Sequence, residues 1–533
     1  MRRHSVIWVF LCLIVLTGCG STEEKWQNGQ GNIPEADSME QEPQLSYEVP
    51  VSTPGILVDR LGYLPEENKT VIFKGRDLPQ EFYVVDKKTE QIVYQGYPEI
   101  RKEEGEEKEA YGDFSDFTAP GTYYIEAPIL GKSYSFSISD TVYDSLFQEA
   151  CKQYYYNRCG MTLGSEYAGD KAHNACHTGK SVLRENGSVS MDASGGWHQN
   201  ENGEKNITGA SRAMAVLMMS YELYPQEYTD QEGIPESGNQ IPDILDEIRY
   251  ETEWFLKMQD KQTGAVYAGV TVYDKGSYVE PACARAEFAF AMTMAKFGYL
   301  YQNYDKGSYV EPACAGAEFA FAMTMAKFGY LYQNYDKEYA MTCLKAADRA
   351  FKHAVLCEEA DDGEEKIWRF AAAAEIYRAA GQVSYQKYLV EYLSDGDLTL
   401  AGDMVQLSGC VTYISTKQAV SMVLCEKIMT MLMDQAEEIS EEVRGSLYMT
   451  STEAEGDSSR ILAQAAYLTV VNHVISNYEY KLMIENQLHY LLGRNERGID
   501  YISDDTEEAP CVINQFKEDS MLVFMLAGIV SGN

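Results

Sequence analysis

The chain has 533 residues and a formal charge of −38, with 45% hydrophobic and 24% charged residues. So large a negative charge excludes nucleic acid and anionic membrane faces as partners and suits a neutral substrate. The length exceeds what one core supports and points to two domains, and the twelve cysteines show no small disulfide framework.

Residues 1–18 begin with Met-Arg-Arg-His-Ser and continue in an apolar run, Val6 to Thr17, too short for an ordinary membrane span. The run ends in Leu16-Thr17-Gly18-Cys19, which resembles the lipobox of bacterial lipoproteins. The resemblance implies cleavage before Cys19, lipidation of its thiol, and a mature chain held at the extracellular face of a bacterial membrane. Residues 19–48 are polar and poor in branched apolar side chains, so they read as a flexible tether.

Residues 49–140 change to short alternating runs at 55–59, 69–73, 82–86, 91–94, 121–126 and 134–138, separated by turn residues at the spacing of an all-β sandwich. The expected role is a packing support rather than a sugar-binding site.

Residues 141–533 read as helical. Ile241, Ile244, Leu245 and Ile248 repeat at helical spacing behind Pro242, the pattern of a one-sided helix. Ile207–Leu223, Ala286–Tyr301, Ile367–Ala380 and Ile461–Ser476 are apolar around most of their circumference and are expected to be buried on most sides. Alternation of the two kinds is what two concentric helical layers require. Tyr273–Asn303 recurs as Tyr304–Asn334 with one change, Arg285 to Gly316. Solenoid repeats come in several diverged copies, so this near-identical pair reads as a tandem duplication or an assembly error, and a closed barrel has room for one copy.

The polar loop Asp192-Ala-Ser-Gly-Gly-Trp197-His-Gln199-Asn-Glu201-Asn202-Gly203 precedes the first of the apolar helices. Paired glycines allow a tight turn, and a loop delivered onto a helix end is a common seat of binding groups. The stretch resembles the Asp-x-Ser-Gly-Gly-Trp-x-Asp-Ala-Gly-Asp segment of family 9 glycoside hydrolases, the inverting cellulases. Further matches follow in the family's order: an immunoglobulin-like module ahead of the helices, the Ile-Pro-Asp-Ile-Leu-Asp-Glu segment at 241–247, and Gln487-Leu-His-Tyr-Leu-Leu-Gly-Arg494-Asn. The resemblance covers about residues 50–530 and implies an immunoglobulin-like β-sandwich followed by an (α/α)6 barrel acting on β-1,4-glucan, with Trp197 and Arg494 at the substrate.

It also exposes departures. The family's two water-activating aspartates read Gln199 and Asn202, and the Asn-Glu pair that carries its acid reads Asn514-Gln515. An amide takes no proton at neutral pH, so the remaining candidates for acid–base work are Glu201, Glu204 and, three residues out of register, Glu518. Cys159, Cys176, His177 and His198 match a structural zinc site of the immunoglobulin-bearing branch, and the resemblance also admits Ca²⁺. The expected function is glucan-directed, with weak or no hydrolysis. Two rivals stay open: a non-catalytic glucan-binding or sensing surface lipoprotein, and an active hydrolase of another glycan with relocated carboxylates.

Overall fold

A computed structural model describes residues 55–104, 107–184, 186–273, 307–357, 363–395, 398–450, 456–503 and 515–532. The signal segment, the tether, Cys19, the helix expected at Ala286–Tyr301 and Asn514 lie outside the described residues.

The first part is a sandwich of two sheets. One has the order β1 (Ile56–Leu57), β3 (Thr70–Gly75), β7 (Glu107–Asp113), β6 (Glu99–Glu104). The other runs β2 (Gly62–Tyr63), β9 (Gly131–Ile138), β8 (Gly121–Ala127), β4 (Phe82–Asp86), β5 (Ile92–Gly96), antiparallel except for β2 beside β9. Alternating residues fill the space between the sheets. Tyr63 packs edge-on against Phe114 and Phe136, with centroids 5.4 and 5.3 Å apart, and Phe73 packs on Phe82. All six expected runs contribute strands. β6 and β7 were not legible in the sequence because Glu and Lys dominate 99–109 and hide the alternation.

Among the described residues twelve longer helices follow, together with a four-residue turn of helix, α2 (Ser165–Ala168). The outer ones are α1 (Asp144–Tyr156), α4 (Asp243–Met258), α6 (Lys337–Cys357), α8 (Gln386–Ser394), α10 (Met422–Gly445) and α12 (Tyr478–Leu491). Between them come the inner helices α3 (Ile207–Leu223), α5 (Ala315–Tyr332), α7 (Gly363–Ala380), α9 (Met404–Ser415), α11 (Ser458–Val474) and α13 (Phe516–Val530). Helix α6 buries Ala340, Cys343, Ala346, Ala347, Ala350, Phe351 and Ala354, one stripe at helical spacing, whereas α5 buries nearly every residue from Ala317 to Gly329. This is the double-layered helical barrel expected. The second copy of the duplication supplies α5 and the strand leading into it.

The helical part also carries a five-stranded sheet with no clear sequence signal, in the order β11 (Ser190–Met191), β10 (Ser181–Leu183), β14 (Gly307–Ala313), β13 (Tyr267–Tyr273), β12 (Lys205–Asn206). Three of its strands are only two or three residues long, too short for a period to register. β12 runs straight into α3 and β14 into α5, so the sheet ties the starts of two inner helices together.

The sandwich docks on the barrel through buried polar contacts. His489 Nδ1 lies 2.8 Å from Asp59 Oδ2, Tyr143 Oη donates to the Gly62 carbonyl (2.9 Å), and the Arg60 N–H donates to the Leu492 carbonyl (2.9 Å).

Candidate active-site loop and metal centre

The loop before α3 is shaped by its glycines and held from beneath by buried charge. Gly195 and Gly196 have φ of 96° and 71°, and a Cβ on Gly196 would stand 2.8 Å from Glu251 Oε2 and 2.9 Å from the Trp254 ring. Only glycine fits there. The Trp197 N–H donates to Glu251 Oε2 (2.6 Å), and the Lys205 ammonium donates to the carbonyls of Ala193 (2.6 Å) and Gly195 (2.7 Å). Both side chains are buried. Burial pushes the Glu251 carboxyl up to about 8 and lowers the Lys205 ammonium.

The segment 157–159 is stitched to the same loop. Cys159 N–H donates to the Gly196 carbonyl (2.7 Å) and His198 N–H to the Asn157 carbonyl (2.8 Å). Between them Arg158 is buried against Glu247, with Nε 3.0 Å from Oε2, and holds both carboxylate oxygens of Glu236 at 2.9 and 3.0 Å. The carboxylates of the segment 241–247 are therefore scaffold. Asp243 Oδ2 accepts from the Glu232 N–H (2.6 Å) and the Ser237 hydroxyl (2.6 Å), and Asn239 donates to Asp246 (2.9 Å).

This clamp gathers Cys159, Cys176, His177 and His198. Their ligand atoms all lie within 4.8 Å of one another, with Cys159 Sγ 3.7 Å from His177 Nδ1, Cys176 Sγ 3.5 Å from His198 Nε2, and the two imidazole nitrogens 3.2 Å apart. Around a tetrahedral ion bonded at about 2.3 Å to sulfur and 2.0–2.1 Å to nitrogen, S···N spacings are about 3.5 Å and N···N about 3.4 Å. The four donors fit such an ion. The Cys176 thiol is pulled low by the hydrogen bond from Cys159 and by the two imidazoles, which presents a thiolate to a cation. His177 takes φ 47°, and a Cβ on Gly203 would stand 2.6 Å from its Cε1, so Gly203 makes room for the ring. Ca²⁺ finds no comparable set of acidic side chains among the described residues.

The positions expected to activate water, Gln199 and Asn202, lie one turn further on. Gln199 Nε2 donates to the Asn206 carbonyl (2.8 Å), and Asn206 Oδ1 in turn caps α3 by accepting from the Gly209 N–H (3.0 Å). Asn202 is exposed, its N–H donating to Asn200 Oδ1 (3.1 Å). Glu201 is exposed, while Glu204 accepts from Asn200 Nδ2 (2.8 Å) through Oε2 and leaves Oε1 buried with no hydrogen bond. Glu518 stands in the first turn of α13, the inner helix packed on α3, and accepts from the Ser459 hydroxyl (2.9 Å) at the start of α11.

Two sequence expectations need correction. Trp197 does not offer its ring to a ligand: it is fully buried, 4.9 Å from Tyr154 and 5.8 Å from Phe516 between centroids, and so pins the loop to α1 and α13. Arg494 is also buried and belongs to the joint with the sandwich. Its guanidinium donates to the Thr70 hydroxyl and to the carbonyls of Asn486 (3.2 Å) and Tyr448 (3.4 Å). Sequence reading missed Lys205, Glu251 and Arg158, whose one available signal was a charge set beside an apolar run.

Comparison with known proteins agrees with this architecture. Residues 143–513 match the model of glycosyl hydrolase family 9, and residues 51–132 match that of the cellulase N-terminal ig-like domain. Endoglucanase D of Acetivibrio thermocellus is 24% identical over 491 residues, covering 84% of this chain and 72% of its own. A cellodextrinase of Butyrivibrio fibrisolvens is 30% identical over 244 residues, 45% of this chain and 44% of its own. The fold is shared with a metagenome-derived family 9 endoglucanase at a TM-score of 0.76 and 21% identity, covering 89% of this chain and 99% of that one. A zinc-binding triple mutant of another family 9 endoglucanase superimposes at a TM-score of 0.69 with 24% identity, over 82% of this chain and 83% of its own. With its sandwich, its double ring of helices and a family match running through both the loop and the metal cluster, the chain belongs to glycosyl hydrolase family 9.

Proposed function

We propose that this chain recognises β-1,4-glucan at the barrel end where α3, α11 and α13 begin, and hydrolyses it weakly or not at all. The observation that carries the reading is the Gln199 amide, which stands at a water-activating position and is tied to the Asn206 carbonyl at 2.8 Å. An amide held in this way orients a water but removes no proton from it, and general-base assistance is typically worth about 10²–10⁴-fold. The relatives' names support the substrate class: endoglucanase, cellodextrinase and, in Bacteroides ovatus, a xyloglucan-specific endo-β-1,4-glucanase. Measurement of reducing ends released from carboxymethylcellulose, lichenan and xyloglucan, beside retardation in gels containing the same glucans, tests it. Binding without turnover is the expected pair, and rapid release of reducing ends contradicts it.

One observation favours a second reading, hydrolysis through relocated carboxylates. Glu204 keeps a buried oxygen with no hydrogen bond close to the base positions. Activity abolished by Glu204→Gln would select this reading.

We also assign the cluster at Cys159, Cys176, His177 and His198 to structural Zn²⁺. Four protein ligands leave no open position, so the ion's role is to lock the loop carrying Gln199 to the segment after α1. The mature chain is read as a surface lipoprotein anchored through Cys19, supported by the Leu-Thr-Gly-Cys sequence behind an apolar run. No helix among the described residues is long and apolar enough to cross a membrane. Mass spectrometry of the mature N-terminus decides the anchor, and an unmodified Cys19 ends it.

A further inference from the structure

The outward face of the sheet containing β4 carries three tyrosines in one line. Tyr83 on β4 is paired with Gln95 on β5, so the same register sets Tyr97, two residues on, opposite Glu81. On the other side Tyr83 is paired with Glu126 of β8, and Val85 with Tyr124. Tyr97, one residue past the end of β5, Tyr83 on β4 and Tyr124 on β8 therefore descend diagonally across this face, each step a diagonal of roughly 7–8 Å.

Their polar neighbours fill the alternate squares and hold the rings in place. Gln95 Nε2 donates to Glu81 Oε2 (2.7 Å) and to the Tyr97 hydroxyl (3.3 Å), and the neighbouring Glu81 carboxylate pushes the Tyr83 phenol up. At the far end the Lys132 ammonium donates to the Tyr124 hydroxyl (3.0 Å), rests 4.6 Å over that ring, and lies 3.7 Å from Glu126. Tyr97 is 71% exposed, and the sandwich residues that meet the barrel, Asp59, Gly62, Glu67, Thr70 and Glu109, are on other surfaces.

We infer that this face is a second glycan-binding surface, separate from the barrel, which takes an extended β-1,4-linked glucan chain. A row of rings with carboxylate, amide and ammonium groups between them suits a ribbon of sugars. The C–H faces of pyranose rings stack on aromatic faces, while equatorial hydroxyls reach the groups in between. Charge on the face supports a neutral occupant. Glu81 and Glu126 are balanced by Lys87, which donates to Ser135 (2.9 Å), and by Lys132, whereas the chain as a whole carries −38. The rings are fixed before the ligand arrives, so little side-chain freedom is lost on binding. Lys132 is 58% exposed, which sets its ammonium within reach of a sugar beside the Tyr124 ring.

Isothermal titration of the full chain with cellohexaose tests the assignment. The natural protein is expected to bind two molecules, and the double variant Y83A/Y97A one, with its melting temperature unchanged. The single variant Tyr97→Ala, at the most exposed ring, is expected to weaken that site at least tenfold, Tyr97→Phe to keep it, and Tyr478→Ala, an exposed tyrosine on α12, to change nothing. If the barrel site proposed above binds no glucan, the natural protein binds one molecule and Y83A/Y97A none, so the two readings fail separately. Unchanged stoichiometry and affinity in folded Y83A/Y97A, or no binding by the natural chain, overturns the assignment. So does capture of extended peptides, in place of glucan, along the exposed β5 edge at Ile92 and Val93.

Discussion

The imidazole of His489 and the carboxylate of Asp59 meet 2.8 Å apart although 430 residues separate them, and both are wholly buried. Burial pushes the Asp59 carboxyl up and the His489 imidazole down, so each group relies on the other and on its hydrogen bonds. Asp59 Oδ1 also accepts the N–H groups of Leu61 and Gly62, both at 2.8 Å. Asp59→Ala removes all three contacts and strands the imidazole. A loss of about 2–4 kcal/mol is expected in urea unfolding, because three hydrogen bonds go and a buried imidazole nitrogen is left unsatisfied. A change below about 1 kcal/mol would show that the sandwich and the barrel are not coupled through this pair.

The metal cluster makes a separate prediction. Native protein should carry about one zinc per chain by elemental analysis, and Cys176→Ser or His198→Ala should lose both the metal and several degrees of melting temperature. Chelation should lower the melting temperature of the natural chain and leave those variants unmoved. Native protein without metal ends the assignment.

The proposed weakness of catalysis rests on the amides at Gln199 and Asn202. Q199D/N202D restores a carboxylate pair on a loop already held by Lys205, Glu251 and Trp197, so binding should be retained. If Glu518 or another acid serves the leaving group, turnover should rise by about 10²-fold or more; with no acid present it should not move. A drop in activity on restoring the aspartates would show that the natural amides take part in turnover.

The duplication tests how the barrel is closed. Tyr273 pairs with Gly307 across the β13–β14 hairpin, with residues 274–306 between them. Deleting Tyr273–Asn303 puts Tyr304 in the place of Tyr273 and leaves Asp305-Lys306, a two-residue turn. Shortening the connection between β13 and β14 this far lowers the entropic cost of closing it by about 2 kcal/mol, so the melting temperature should hold or rise. A clear fall would show that both copies are packed.

A pH dependence arises at Asp246, whose carboxyl burial pushes up to about 6 from an ordinary 3.8. The folded state holds this proton more tightly than the unfolded chain. Its stabilising contribution is complete below about pH 4 and is lost as the pH rises through 6. Asp246→Asn keeps the contact with Asn239 without the charge and should gain about 1–2 kcal/mol at pH 8 relative to pH 4. Equal effects at both pH values would show that the carboxyl titrates normally.

The residue order alone determined the two-part architecture. Alternation with period two between 55 and 138, and all-round apolarity in α3, α7 and α11, are local patterns that burial imposes on any strand pair or inner helix. The gathering of Cys159, Cys176, His177 and His198 was likewise legible, because a matching segment names residues without needing their coordinates. Tertiary structure alone decided what the side chains do. Trp197 is a core residue and Arg494 part of a domain joint because their surroundings come from α1, α13 and the sandwich, segments separate from theirs in the chain. Lys205 and Glu251 hold the loop because folding brings two buried charges beneath its carbonyls and N–H groups, a pairing with no period or spacing. The tyrosine row on the sandwich has the same origin: Tyr83, Tyr97 and Tyr124 align through strand register, which cross-strand hydrogen bonds set and no single strand encodes.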